Sequence, residues 1–160
     1  EEPYSIAMVL AEVMGDELEN FFVSVYGTDI DSKSINTAKA GEYNIEKAKN
    51  IPEKYIKKYF VYNDKLLISP KIKSLCRFKF LDLFKDNPLL KNDIVFCRNV
   101  VIYFANEQRD KLFNKIYSSL NNNGYLIIGK SEVLTGEISE KFKIIESRER
   151  VYSKIPVWMR

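Results

Sequence analysis

One stretch constrains this chain more than any other. An apolar, strand-like run, Ile94-Val95-Phe96-Cys97, passes directly into Arg98-Asn99 and then into a second apolar run that ends at Tyr103-Phe104. In open α/β sheets, polar side chains at the carboxyl end of a buried strand lie where ligands bind. Taken alone, the stretch is equally a core strand followed by an ion-paired arginine. Two further blocks lie upstream. The strand-like Phe22-Val23-Ser24-Val25-Tyr26 leads into Gly27-Thr28-Asp29-Ile30-Asp31, and the sequence opens with Glu1-Glu2-Pro3-Tyr4-Ser5-Ile6-Ala7.

The spacing of apolar residues around these blocks predicts alternating helices and strands. Ile6, Ala7, Val9, Leu10 and Val13 recur with a helical period over residues 3–14; Pro3 suits the first turn and Gly15 a stop. Phe21 to Tyr26 reads as a strand. Asp31 or Ser32 caps a second helix through about Ala40, with Ile35 and Ala38 turned inward and Gly41 ending it. Residues 42–77 are less regular. A short helix is expected over residues 52–60, then short strands at Phe60-Val61-Tyr62, Lys65 to Ile68 and Ile72 to Leu75 around an Asn63-Asp64 turn. Beyond them come strands at Arg77 to Asp82 and Asp93 to Arg98, a helix from about Asn106 to Leu120, and a turn at Asn121-Asn122-Asn123-Gly124. A strand at Tyr125 to Gly129 and a terminal antiparallel pair, Phe142 to Glu146 with Arg150 to Lys154, complete the chain. Such alternation gives an α/β architecture with a mainly parallel sheet.

The 160 residues fit one domain with a sizeable core. A net charge of +3, with lysines interspersed among acids, gives no footprint for nucleic acid and describes a mixed, solvated surface. Cys76 and Cys97 have neither metal-site nor disulfide-framework spacing, so a reducing compartment and a core role for Cys97 are expected, with no metal. Arg98 and Asn99 interrupt the longest apolar stretch, so no membrane-spanning run is expected; the acidic opening residues do not read as a signal peptide. The chain contains no histidine at all. That excludes Ser-His-Asp and Cys-His chemistry, and leaves carboxylates, Tyr, Lys, Arg or the reactivity of a cofactor.

The three blocks together, Glu-Glu-Pro-Tyr-Ser from Glu1, the Asp29-Ile30-Asp31 strand end and Cys97-Arg98-Asn99 followed by Ile102-Tyr103-Phe104, resemble the CheR-type chemotaxis receptor methyltransferases. The resemblance runs from Glu1 to about Tyr152. It implies a Rossmann-like fold that binds S-adenosyl-L-methionine, with a small antiparallel β-subdomain inserted at about residues 55–77. It implies methylation of glutamate side chains on the cytoplasmic domain of methyl-accepting chemotaxis receptors, in the cytoplasm, with S-adenosyl-L-homocysteine as the second product. In the family a strand and a glycine-rich turn precede the Glu-Glu-Pro-Tyr-Ser block; here the first central strand is missing, so the sequence is expected to be part of a longer protein.

Residue by residue, the resemblance places Asp29 on the cofactor's ribose hydroxyls, Glu2 near its sulfonium and ammonium, and Asp82 with Leu83 at its adenine. Arg98 and Asn99 fall close to cofactor and substrate, and Arg98 and Tyr103 are the candidates for the catalytic step. Each has a plainer alternative: a helix cap for Asp29, a helix-start acid for Glu2, a solvated strand end for Asp82, a core phenol for Tyr103. Lys130, in Gly129-Lys130-Ser131-Glu132, stands where relatives often carry His. The short Tyr62-Asn63-Asp64-Lys65 turn, without glycine, favours receptor recognition that does not depend on a C-terminal pentapeptide. Lys57, Lys58, Lys71 and Lys73 are either a docking face for an acidic receptor or a solvated one. Two other functions stay open: a binding module without turnover, and a methyltransferase for another carboxylate.

Overall fold

The structure, a computed structural model, describes residues 1–46 and 51–159, and of Asn63 and Tyr103 the backbone only. It divides into two compact units, Glu1–Asp82 and the remainder from Leu83.

The first unit begins with helix α1 (Glu2–Met14), which buries Tyr4, Ala7, Met8 and Ala11 along one stripe. Pro3 sits in its first turn, and Gly15 (φ 54°) ends it. Strand β1 (Val25–Asp29) pairs in parallel with β5 (Cys76–Phe80), Val25 opposite Cys76 and Asp29 opposite Phe80. Between them lie α2 (Ser32–Ala40), β2 (Glu42–Tyr43), α3 (Glu53–Tyr59), β3 (Phe60–Asn63), β4 (Lys65–Ile68) and α4 (Pro70–Leu75). The strands β2, β4 and β3, in that order, form an antiparallel sheet.

Two close approaches fix this unit. A side chain on Gly27 would put its Cβ 2.7 Å from Pro3 and 2.8 Å from Phe78, so glycine lets the start of α1 sit directly on β1. Tyr4 is buried, its ring edge-on to Phe78 at 5.2 Å and its hydroxyl donating to the Ala38 carbonyl at 2.8 Å. Burial pushes the Tyr4 phenol up to about 12, with the neighbouring Cys76 and Tyr43 adding to the shift. Tyr43 is likewise raised to about 12, and Cys76 to about 11, both mainly by burial.

The second unit holds a four-stranded sheet in the order β6 (Asn92–Cys97), β7 (Leu120–Ile128), β9 (Val151–Lys154), β8 (Phe142–Glu146). β6 and β7 are parallel, joined by α5 (Asn106–Ser119); β9 and β8 add antiparallel. Leu112, Phe113, Ile116 and Tyr117 on α5 pack over Leu126 and Ile128 of β7. The Tyr117 ring stands edge-on to Phe142, and its hydroxyl donates to the Ile155 carbonyl.

Most elements fall where the spacing predicts them; four do not. The first strand begins at Val25 rather than Phe21, because pairing with β5 decides it and Phe21 and Phe22 are exposed. Ile72 to Leu75 is helix, not strand: Pro70 occupies the first helical turn, and the turn inserts Ile72 into the core, fully buried. The asparagine cluster is no turn. α5 stops at Ser119, and Leu120 to Ile128 runs as one strand whose register slips between Leu120 and Tyr125, with Asn123 at φ 63°. Finally, the pairing is not mainly parallel: β1–β5 and β6–β7 run parallel, while β2–β4, β4–β3, β7–β9 and β9–β8 run antiparallel.

Alkaline unfolding should report on the Tyr4 cluster. Tyr4, Tyr43 and Cys76 all ionise more readily once unfolded, so the stability that they contribute is complete below their ordinary values of 9.0 to 10.0 and is lost as pH rises towards 12. Denaturant melts across that range should show a falling midpoint. Tyr4→Phe should flatten the fall and cost about 1 kcal/mol at neutral pH through the lost bond to Ala38.

Candidate functional site

In the first unit two of the candidate residues, Asp29 and Asp82, stand where β1 and β5 end. Asp29 is the last residue of β1; its carbonyl accepts the Leu81 N–H at 2.9 Å, which carries the β1–β5 ladder one step past Phe80. Its side chain is exposed, and Oδ1 accepts the Asp31 N–H at 2.8 Å, which tightens the turn into α2. The other oxygen, Oδ2, has no hydrogen bond among the described residues. The helix-cap alternative for Asp29 falls to Asp31 instead. Asp31 takes the N–H groups of Lys33 and Ser34, both at 3.0 Å, and the Ser34 hydroxyl at 2.7 Å. The Ser34 hydroxyl first, then the two backbone N–H groups, hold the Asp31 carboxyl below its ordinary value. Glu2 is exposed in the first turn of α1. Asp82 closes the unit, half-buried, two residues beyond β5.

Leu83 opens the second unit. Its carbonyl accepts from the Lys115 ammonium at 2.8 Å, and its side chain packs against the α5 core. With Phe84, Gln108, Lys111, Leu112 and Lys115 it lines a hollow of about 320 Å³.

At the end of β6, Cys97 is buried while Arg98 and Asn99 are exposed. Asn99 holds a left-handed backbone, φ 57°, a conformation that asparagine tolerates better than most residues. Residues Val101–Tyr103 follow as a single 3₁₀ turn, its Val101 carbonyl accepting from the Phe104 N–H at 3.1 Å and from Arg109 Nε at 3.0 Å. The Phe104 ring meets Phe84 edge-on at 4.9 Å. The Tyr103 side chain lies outside the described residues.

The residue that sequence reasoning passed over is Glu132, 4% exposed. Its Oε2 accepts the N–H groups of Gly129 at 2.6 Å and Asn99 at 3.3 Å, and its Oε1 that of Val101 at 3.1 Å. Three backbone donors thus satisfy a carboxylate that would be costly to bury alone. Gly129 makes room for it: a Cβ there would stand 2.7 Å from Oε2 and 3.1 Å from the Asn99 nitrogen. The one signal in the sequence is an acid flanked by apolar Val133 and Leu134 just past a strand-ending glycine. Burial first, and the Glu132 charge second, push the Cys97 thiol up to about 12, so it is an inert core group at neutral pH.

The basic residues are locally engaged. Lys57 pairs with Glu53 at 2.6 Å, Lys58 with Glu12 at 2.6 Å, and Lys71 with Glu19 at 4.0 Å, while Lys73 donates to the Ala40 carbonyl. Glu12 also receives a short bond from the Tyr59 hydroxyl. Of the two readings, this pattern favours a solvated face. Lys130 pairs with Glu149 at 2.9 Å on the surface. No helix among the described residues is long and apolar enough to cross a membrane.

Chemically, the first unit presents an acceptor oxygen at a strand end, suited to a hydroxyl-bearing ligand. The second presents an exposed guanidinium on a rigidly held turn, suited to a carboxylate. Comparison with known proteins shows the family. Residues 1–151 match the family described as CheR methyltransferase, SAM binding domain. The chain is 41% identical over 141 residues to a chemotaxis protein methyltransferase of Borreliella burgdorferi, covering 85% of this chain and 50% of that protein. It is 34% identical over 160 residues to one from Vibrio anguillarum (97% and 58%), and 33% identical over 140 residues to chemotaxis protein methyltransferase 1 of Pseudomonas aeruginosa (84% and 51%). The chain therefore spans about half the length of these curated relatives.

The two aspartates of the strand end should separate on substitution. Asp31→Ala removes the α2 cap and should lower the melting temperature by about 2–4 °C, while Asp31→Ser restores most of it. Asp29→Asn keeps an oxygen for the Asp31 N–H and should leave the melting temperature unchanged. Thermal melts followed by circular dichroism check all three.

Proposed function

Because the chain belongs to the family of CheR methyltransferase SAM-binding domains, we propose that it is the cofactor-binding, methyl-transferring part of a chemoreceptor methyltransferase. The proposed substrates are glutamate side chains on the cytoplasmic domain of methyl-accepting chemotaxis receptors, and the proposed setting is the cytoplasm. The observation that carries the reading is the extent of the family match, residues 1–151, which takes in all three sequence blocks.

The strand ends support a division of labour. Asp29 offers Oδ2 to the ribose hydroxyls, since Oδ1 is occupied by the Asp31 N–H. Asp82 accepts from the adenine amino group and Leu83 supplies apolar contact. Glu2 contributes negative charge towards the cationic end of the ligand. Asn99 and Arg98 both contact the cofactor, and Arg98 also orients the incoming carboxylate through a forked pair of hydrogen bonds. Tyr103 donates a hydrogen bond near the transferred methyl group. S-adenosyl-L-methionine, when bound, supplies a methyl group on a sulfonium, ready for displacement.

A glutamate is already ionised at neutral pH, so the attacking oxygen needs no proton removed, and a chain without histidine is at no disadvantage. The work left to the protein is alignment of the carboxylate and exclusion of water. The products are a glutamate methyl ester and S-adenosyl-L-homocysteine.

Calorimetric titration of S-adenosyl-L-homocysteine into the chain, beside Asp29→Ala, tests the binding half. Saturable heat that weakens at least tenfold in the variant is expected, the factor for a charge-assisted hydrogen bond; heat indifferent to the substitution would overturn the ribose assignment. Transfer of a labelled methyl group to a receptor fragment, lost when the acceptor glutamates become alanine, tests the catalytic half. Label on some other protein would show a different carboxylate substrate.

A further inference from the structure

Among the groups that the proposed reaction does not use, Glu132 stands apart. Its carboxylate is buried and has no cation partner among the described residues; its bonds run to three backbone N–H groups on two separate segments. One is Gly129, just past the end of β7. The others, Asn99 and Val101, straddle the turn just past the end of β6. The bonds therefore tie the two neighbouring parallel strands together beyond the last rung of their ladder, Cys97 opposite Ile128.

That tie falls on the segment with the least freedom to hold itself. Asn99 sits at φ 57°, a costly backbone state that persists where surroundings enforce it. Arg98 precedes it and Val101–Tyr103 follows as a short 3₁₀ turn, gripped from the other side by Arg109 on the Val101 carbonyl. The side chains of Arg98 and Asn99 point away from the core and are exposed, so core packing does not orient them. The backbone beneath them sets the point from which they extend. Gly129 serves the same end, since a Cβ there would crowd Glu132 Oε2 at 2.7 Å and the Asn99 nitrogen at 3.1 Å.

We infer that Glu132 is a positioning residue for methyl transfer: by binding the Asn99 and Val101 amides it sets the backbone from which Arg98, Asn99 and Tyr103 reach their ligands. It touches neither substrate nor cofactor itself. The inference rests on the functional reading above for what those three residues do, and on the structure alone for how they are held.

Two measurements on the full chain separate those layers. Amide hydrogen exchange is followed at Gly129, Asn99 and Val101 in Glu132→Gln, which keeps the shape and one acceptor oxygen, and in Glu132→Ala. Exchange at these amides should speed up at least tenfold in the alanine variant and less in the glutamine variant, with the amides of α5 unchanged. Unaltered exchange at Asn99 and Val101 in both variants overturns the inference, whatever the chain binds. The second measurement is a double-mutant cycle on S-adenosyl-L-homocysteine affinity with Glu132→Gln and Arg98→Ala. If Glu132 acts through the Arg98 segment, the two losses overlap, and the double variant binds no more than about threefold more weakly than Arg98→Ala alone. Independent, additive losses would make Glu132 a stability residue only and overturn the positioning role. Faster exchange in a chain that binds no S-adenosyl-L-homocysteine would instead sink the functional reading, and the positioning role with it.

Discussion

A parallel strand ends with backbone groups that its ladder no longer satisfies, and much of this protein is organised around supplying their partners. At the end of β1 the partner is a side chain two residues back: Asp29 takes the Asp31 N–H, and Asp31 in turn takes the first free N–H groups of α2. At the ends of β6 and β7 a single buried carboxylate, Glu132, serves both strands. In the first unit the residues that hold the backbone lie two apart in sequence; in the second, Glu132 and the Asn99 amide that it holds are 33 residues apart and meet only in space. The strand end is rigid first and functional second.

The two units solve their packing problem differently. The first is held by close approach around small residues: Gly27 admits Pro3 and Phe78, and Gly41 leaves the Tyr4 hydroxyl room at 3.1 Å. The second relies on a long amphipathic helix, α5, laid on the β6–β7 pair, with Tyr117 joining helix to C-terminal strands through its hydroxyl. A substitution that adds one methyl group is costly in the first kind of core and easily absorbed at the exposed face of the second.

How much was legible in the sequence follows from the range of each signal. Local signals read correctly: the helical stripe of α1, the Asp31 cap and the Gly41 stop of α2, and the terminal hairpin of β8 and β9 all sit within a few residues of their cause. Signals that depend on a distant partner did not. Phe21 and Phe22 look like strand formers, yet the ladder begins at Val25 because Cys76 lies opposite it. Ile72 to Leu75 reads as a short strand beside the Lys65 to Ile68 run, yet Pro70 starts a helix there. The asparagine run is absorbed by a slipped register that only its pairing with β6 defines. At the candidate site, Asp29, Arg98 and Asn99 were visible because motifs carry them. Glu132 was passed over, because its partners are backbone amides on a distant segment and an acid after a strand-ending glycine is a weak signal on its own.

The Asp29-Ile30-Asp31 spacing has a consequence for how such chains diverge. The first aspartate shapes the turn and the second caps the helix, and both tasks exist with no ligand present. Shifting the motif by one residue would place Ile30 at the cap and lose both. Selection for folding alone would therefore preserve the pair in a descendant that had given up its cofactor. In a lineage of this domain, retention of Asp-x-Asp records an intact scaffold, whether or not a ligand is still bound.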